Sequence, residues 1–333
     1  MLVVVLIMVG AYFYGLTSVS KKSEKVSFNI KTGTSTKEVI NNLYEANLIR
    51  SKISANIYVK LNKKILIKAG EYELDRKYDI KKIFEILSGN NAIVDTITVK
   101  FPEESRLVKY AEVIHNNFGY SEEEVLNKMN DKDYLNKLIK KYDFLSEDIL
   151  NSDIYYPLEG YLYPDTYEFY KSASIEDIIE KLLAKMGKVL DNYNASIKEE
   201  NYSIHEILTM ASIIENESKF DEDRSVVSQV IRKRLSMNMS LGMDVTTYYG
   251  VKKALSETLT QSDLNSVNPY NTRRVDFLGL PAGPICNPSE RSIKAALNPS
   301  DTDYVYFYAE VSTGKLHFAK THSEFQELIR KYS

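Results

Sequence analysis

Residues 2–16 read LVVVLIMVGAYFYGL, and no charge appears until Lys21 and Lys22. A helix that is apolar on every side has no polar face to offer water, so it does not suit the surface of a globular domain. About 20 mainly apolar helical residues cross the ~30 Å hydrocarbon layer of a bilayer. Residues 1–20 are just long enough, and the sequence predicts a transmembrane anchor there. Two alternatives compete: a cleaved signal peptide, which would want basic residues ahead of the apolar run, and a buried core helix, which would want neighbours. Lys21, Lys22 and Lys25 follow the run. The positive-inside rule alone puts them in the cytoplasm and the N-terminus outside.

Beyond residue 20 the composition is that of a folded protein. The chain has 333 residues, 44% apolar and 27% charged, a length that suits two domains. With 43 Lys+Arg against 46 Asp+Glu the net charge is −3, so there is no general attraction for a polyanion and nucleic acid is not expected as a partner. One cysteine, Cys286, excludes an internal disulfide framework and, with four histidines, a Cys/His zinc cluster. Neither a metal nor a cofactor is expected. Cys286 reads as a small core filler, and the scattered histidines as structural or surface groups. There are 25 Tyr, 12 Phe and no Trp, so any stacking on a sugar ring falls to tyrosine.

Hydrophobic periodicity and caps order the chain. A strand over residues 26–30, helices from Ser35 and near 53–61, strands at 65–67 and 72–74 beside a turn at Gly70, and a helix from Asp79 to Gly89 make a β-α-α-β-α pattern. A strand at 97–101 stops at Pro102, and a domain boundary is expected between residues 94 and 102. Helices are predicted at 107–118, at 121–141 from the Ser121/Glu124 capping box, and at 174–190. Residues 155–169, YYPLEGYLYPDTYEF, suit a rigid loop, and 192–201 a polar connection. Further on, 278–285 is too rich in Gly and Pro for helix. Residues 289–297 form a capped helix, 304–309 and 315–319 a hairpin, and Thr321 with Glu324 caps a last helix.

The segment from Ser203 carries the candidate chemistry. Ser203 and Glu206 form a capping box, and Ile204, Ile207, Leu208, Met210, Ala211, Ile213 and Ile214 fill one arc of the helix that follows. His205, Thr209, Ser212 and Asn216 lie opposite. Glu215 and Glu217 fall within or beside the apolar arc. Either both are frayed into solvent, or one is held in a dry cleft, where desolvation raises its pKa as a general acid at neutral pH requires. Periodicity does not choose between them. Gln229, Arg232 and Arg234 on the next helix read as a solvated face. Asp244, Thr246, Thr247 and residues 268–272 read as loop polar groups able to line a cleft.

Residues 209–218 (TMASIIENES), Leu241 with Asp244 and Thr246, Tyr249-Gly250, residues 268–272 (NPYNT), Gly279-Leu-Pro281, Gly283-Pro-Ile285, Asn287-Pro288 and Tyr306-Phe307 together resemble the endolytic murein transglycosylases, the YceG-like family. Residues 68–72 (KAGEY) and 159–166 (EGYLYPDT) match in the same order upstream. The resemblance implies an α+β protein with an N-terminal transmembrane helix over 1–20, a small LysM-like α/β subdomain over 26–95, and a mixed α+β catalytic domain over 96–333. It implies a bacterial inner-membrane protein with the N-terminus inside and the catalytic domain outside the cytoplasm. The implied reaction is cleavage of MurNAc-β-1,4-GlcNAc bonds in nascent glycan strands, leaving 1,6-anhydro-MurNAc ends and terminating strand elongation. The partners it implies are glycan strands, peptidoglycan synthases and other cell-elongation proteins.

By the same resemblance Glu217, the second Glu of the motif, is the single catalytic acid and base. Ser218, Glu159, Tyr163, Asp244, Tyr270, Asn271 and Thr272 are the expected substrate contacts, with Tyr161 and Tyr249 as further stacking candidates. The sequence departs from the family pattern at Lys233, Gly242, Val245, Arg273, Ala282 and Phe325. Gly242 stands for a usual Gln and Arg273 for an aromatic. A non-catalytic, glycan-binding scaffold of the cell-wall machinery is the alternative from another functional class.

Overall fold

The computed structural model describes residues 2–31, 33–63, 65–89 and 96–333, leaving aside the side chains of 2–6. The chain forms two compact units, Met1–Ile97 with Glu168–Ala173, and Thr98–Tyr167 with Ser174–Ser333. The division expected at 95/96 falls at the edge of residues 90–95, which lie outside the described ones.

The first unit runs α1 (Leu2–Leu16), β1 (Lys25–Ile30), α2 (Thr36–Glu45), α3 (Lys52–Leu61), β2 (Gly70–Asp75) and α4 (Ile80–Ser88). β1 and β2 pair antiparallel, from Lys25 opposite Asp75 to Ile30 opposite Gly70. With period 2, that register turns Phe28, Ile30, Tyr72 and Leu74 to one face. There they meet Val39, Ile40 and Leu43 of α2 and Ile83, Phe84 and Leu87 of α4 in one buried cluster. Ser35, Ser51 and Asp79 start the three helices by accepting from the N–H groups of Glu38, Ser54 and Lys82. The strand expected at 65–67 does not form, and Gly70 opens β2 instead of turning the chain before it.

α1 has 15 residues, about 22 Å at 1.5 Å per residue. The chain leaves the helix at Thr17, whose N–H and hydroxyl both donate to the Tyr14 carbonyl. Among the described residues no helix is long and apolar enough to cross a membrane, so the twenty-residue span expected over 1–20 is a shorter helix followed by a non-helical Thr/Ser segment. Ile7, Met8, Phe13 and Tyr14 are exposed. The C-terminal end of α1 is docked: Arg50 donates to the carbonyls of Ser18 (2.7 Å) and Val19 (3.2 Å) and lies 5.1 Å over the Tyr14 ring.

The second unit is mixed α+β. Its elements are β3 (Thr96–Lys100), α5 (Leu107–Phe118), α6 (Glu122–Met129), α7 (Lys132–Lys141), β4 (Thr166–Tyr170), α8 (Ile175–Asp191), α9 (Asn194–Glu199), α10 (Ile204–Glu217), α11 (Asp221–Ser236), α12 (Asp244–Gly250), α13 (Gln261–Leu264), α14 (Glu290–Leu297), β5 (Tyr306–Ala309), β6 (Leu316–Ala319) and α15 (His322–Tyr332). β3 pairs with β4, and β5 pairs antiparallel with β6. α10 is the central helix and packs against α11, α12 and α14.

Four local expectations change. The helix expected over 121–141 is two, because the Asp131 carboxylate accepts from the N–H groups of Asp133 and Tyr134 and starts a new helix. The loop expected over 155–169 ends in strand β4, the polar connection at 192–201 holds the short helix α9, and Asp244, Thr246 and Thr247 lie on helix α12, not in a loop. The middle of the polar side of α10 is buried too. Its Thr209 and Ser212 hydroxyls donate to the carbonyls of His205 and Thr209, and the Ser212 oxygen accepts from the Ile285 N–H. Burial costs little once those groups are paired.

Candidate active site

Two carboxylates two residues apart on a helix point to different sides, and the end of α10 uses this. Glu215 is 4% exposed. One of its oxygens accepts from the Ser289 N–H (2.8 Å) and hydroxyl (2.6 Å), and the other lies 3.4 Å from the buried Arg224. Ser289 therefore spends its hydroxyl on Glu215 rather than on capping α14. These bonds tie α10 to α11 and to the start of α14.

Glu217 turns to α12. It is partly buried, accepts from the Val245 N–H in the first turn of α12, and has Asp244 close by. Desolvation comes first and the negative charge of Asp244 second in pushing its carboxyl up to about 7, against the opposing pull of Arg234, the Val245 N–H and Arg273. Asp244 is itself paired with Arg273 at 2.7 Å, with both side chains about half exposed. Arg234 is desolvated at the end of α11. The result is a carboxyl that holds its proton near neutrality, with the positive charges of Arg234 and Arg273 and the Val245 N–H favouring the carboxylate once the proton leaves. Ser218, the C-cap residue of α10, is 3% exposed, and its hydroxyl has no hydrogen-bond partner among the described residues; nor has the side-chain carbonyl of Asn216.

The loop at 268–272 is the frame of this site. Thr272 accepts from the Met243 N–H (3.1 Å) and meets the Thr246 hydroxyl at 2.8 Å. Asn271 accepts from Thr247 (2.8 Å) and donates to the carbonyls of Leu264 and Ser266. Both residues are fully buried and hold α12 at its first turns. Tyr270 is buried against Tyr249 (4.7 Å between ring centres) and Tyr155 (4.8 Å). Tyr163 is 9% exposed, with Lys185 over its ring. Tyr161 packs between Phe144 and His205. At these four tyrosines, Tyr249 included, the rings lie in the core, and none presents an open face for stacking.

Glu159 is 1% exposed, and its oxygens accept from the Leu107 N–H (2.9 Å) and the Tyr249 hydroxyl (3.1 Å). Burial pushes its carboxyl up to about 8. Of the sequence-derived contacts, the structure therefore brings Ser218 and Asp244 to Glu217. Asn271 and Thr272 stand one layer behind, and Glu159, Tyr163 and Tyr270 in the surrounding core.

Sequence reasoning missed Arg234 as a member of the site. It assigned α11 a solvated face, yet Arg224 and Gln229 are buried and Arg232 is clamped between Glu200 (2.7 and 2.9 Å) and the Ala296 carbonyl. The three acidic residues at the N-terminus of α11 gave that helix a polar look independent of packing. The signal for Arg234 lay in its aromatic partner Tyr306, which only the fold brings near. Cys286 is buried as a core filler, and His205 bridges Tyr161 and the Ala282 carbonyl. Among the described residues no group of three His, Cys, Asp or Glu could hold a metal ion.

The model of the YceG-like family matches residues 28–331. An endolytic murein transglycosylase of Bacillus subtilis is 36% identical, covering 98% of this chain and 91% of that protein. One of Streptococcus pneumoniae is 29% identical, covering 98% of this chain and 63% of its own length. A crystal structure of a YceG-like protein from Listeria monocytogenes superposes with a TM-score of 0.66 at 34% identity, over 92% of this chain and all of that one. On a match this long, in sequence and in fold, the chain belongs to the YceG-like family.

Proposed function

We propose that the chain is an endolytic lytic transglycosylase of peptidoglycan, with Glu217 as its one acid and base. The observation that carries this reading is a desolvated carboxyl, raised to about 7, at the open end of a helix whose other carboxylate is fully used in structure. The names of the bacterial relatives support the substrate. Protonated Glu217 donates to the glycosidic oxygen as the sugar takes on oxocarbenium character. As a carboxylate, steadied by the Val245 N–H and by Arg234 and Arg273, it then takes the proton of the MurNAc C6 hydroxyl. That oxygen attacks C1 and closes the 1,6-anhydro ring, so no water enters and no second carboxylate is obligatory, unlike the two-carboxylate hydrolases. Ser218, with its unpaired hydroxyl, is suited to hold a sugar hydroxyl beside Glu217.

Mass analysis of the strand ends made from purified peptidoglycan tests the chemistry. Anhydro ends are expected. Ends heavier by one water would mean hydrolysis, with Asp244 as the second carboxylate to examine.

The β-α-α-β order of the first unit supports a LysM-like, glycan-binding role for it. The exposed apolar side chains of α1 support attachment to the bacterial cytoplasmic membrane, with the catalytic unit outside the cytoplasm. Removing residues 2–16 is expected to move the protein from the membrane pellet to the supernatant. A truncated protein that still pellets would exclude α1 as the anchor.

A further inference from the structure

Arg234 makes contacts that its place on the last turn of α11 does not require. Its Nε donates to the Val305 carbonyl at 2.7 Å, its Nη1 donates to the Leu241 carbonyl, and its guanidinium lies 5.3 Å over the Tyr306 ring. One side chain thus joins α11, the loop over 240–243 and the edge of β5. The next residues of that loop are Met243, which precedes α12, and then Asp244 and Val245, the two groups that face Glu217.

Position 242 is shaped to admit this guanidinium. Gly242 has φ +60°, its N–H donates to the Thr272 carbonyl at 2.8 Å, and a Cβ there would lie 3.2 Å from Arg234 Nη1. In this chain, which has glycine where the family usually has Gln, an added Cβ would be strained by the backbone and would press on the arginine.

We infer that Arg234 is a positioning residue for the reaction: seated against Gly242, it fixes the start of α12 beside Glu217 and supplies a partly buried positive charge that favours the carboxylate. This rests on the reading of Glu217 as the acid and base. The charged and titratable groups around the pair are Asp244 on α12, Arg273 on the following loop and Tyr306 on β5. Of these, Asp244 favours the protonated form of Glu217, while Arg273, like Arg234, favours the carboxylate.

Without Arg234 the carboxylate loses a stabilising charge, Glu217 holds its proton to higher pH, and the alkaline limb of the pH–rate profile moves up. Removing a preorganised electrostatic stabiliser costs roughly a hundred- to a thousandfold in rate. The experiment measures release of anhydro ends from purified glycan strands against pH, for the full chain and for Arg234→Met, Arg234→Lys and Gly242→Ala, with thermal unfolding of each. Arg234→Met is expected to lose about a hundred- to a thousandfold in kcat with its profile shifted up. Arg234→Lys keeps the charge but cannot hold both carbonyls, so kcat falls while the profile stays in place. Gly242→Ala should lower kcat in the same way as Arg234→Lys. A loss of activity in Arg234→Met with an unmoved profile, or full activity in Arg234→Lys and Gly242→Ala, would overturn the inference. If Arg234→Met does not fold, the Lys and Ala variants decide alone. A wild type that releases no anhydro ends would instead refute the reading of the reaction, a distinct failure.

Discussion

At the scale of single residues, Glu215 and Glu217 show how one helix end assigns two carboxylates to two tasks. Glu215 is held by Ser289 and by buried Arg224, and removing one partner of such a network leaves the other charge buried and uncompensated. Glu215→Ala is expected to lower stability by about 3 kcal/mol in chemical denaturation. A change under ~0.5 kcal/mol would mean that the network contributes little. Glu217 carries the opposite signature, a carboxyl desolvated in the folded state and raised by the neighbouring Asp244. Asp244→Asn removes that negative neighbour, so the Glu217 proton is lost at lower pH and the alkaline limb of activity moves down. A limb that stays or moves up would contradict the assigned geometry.

At the scale of elements, the site depends on α12, a helix too short to stand alone, held by Thr272, by Asn271 and by Glu159, which accepts from its Tyr249. Glycine does related work at position 160, where φ is +84° and a Cβ would fall 2.3 Å from Pro284. The N–H groups of Gly160 and Leu162 both donate to the Asn287 side chain, so this turn locks the 155–164 segment to the 284–287 segment. Gly160→Ala is expected to cost about 2 kcal/mol or more, read as a lowered denaturant midpoint. An unchanged midpoint would mean that the turn relaxes freely.

The same elements mark what the sequence could disclose. Capping boxes at Ser121, Ser203 and Thr321 form as their spacing predicts, because a cap is satisfied by residues three apart, and the structure adds one at Ser174. The break at Asn130–Asp131 was hidden by helical periodicity on both sides. The α12 helix was hidden because its partners lie more than twenty residues away at 271 and 272. Glu217 was narrowed to one of two residues by periodicity and singled out by resemblance. Arg234 was not legible, since its partners at 241 and 305–306 come together only in the fold.

At the scale of the molecule, the apolar start of the chain predicts a full membrane span, and the described residues there form a 15-residue helix whose end is pinned by Arg50. The second unit carries two carboxyls, Glu159 and Glu217, raised from the ordinary 4.5 to about 8 and about 7. Between those values the folded protein holds protons that the unfolded chain has released, so stability is greatest at low pH in this window and falls as pH rises from about 4.5 to 8. Every tenfold gain in proton affinity on folding corresponds to about 1.4 kcal/mol. Glu159→Gln, neutral at every pH, should flatten the upper part of that decline in denaturation curves taken from about pH 5 to 8. A variant with the wild-type slope would show that Glu159 does not hold its proton in the fold.

If Glu217 both gives and takes the proton, its amide should do neither. The most direct measurement is the release of anhydro-ended fragments from purified peptidoglycan by the wild type and by Glu217→Gln, each shown to be folded by thermal unfolding. The expected result is anhydro ends from the wild type and a loss of at least about a hundredfold in the variant. A folded Glu217→Gln that releases anhydro ends at the wild-type rate would contradict it.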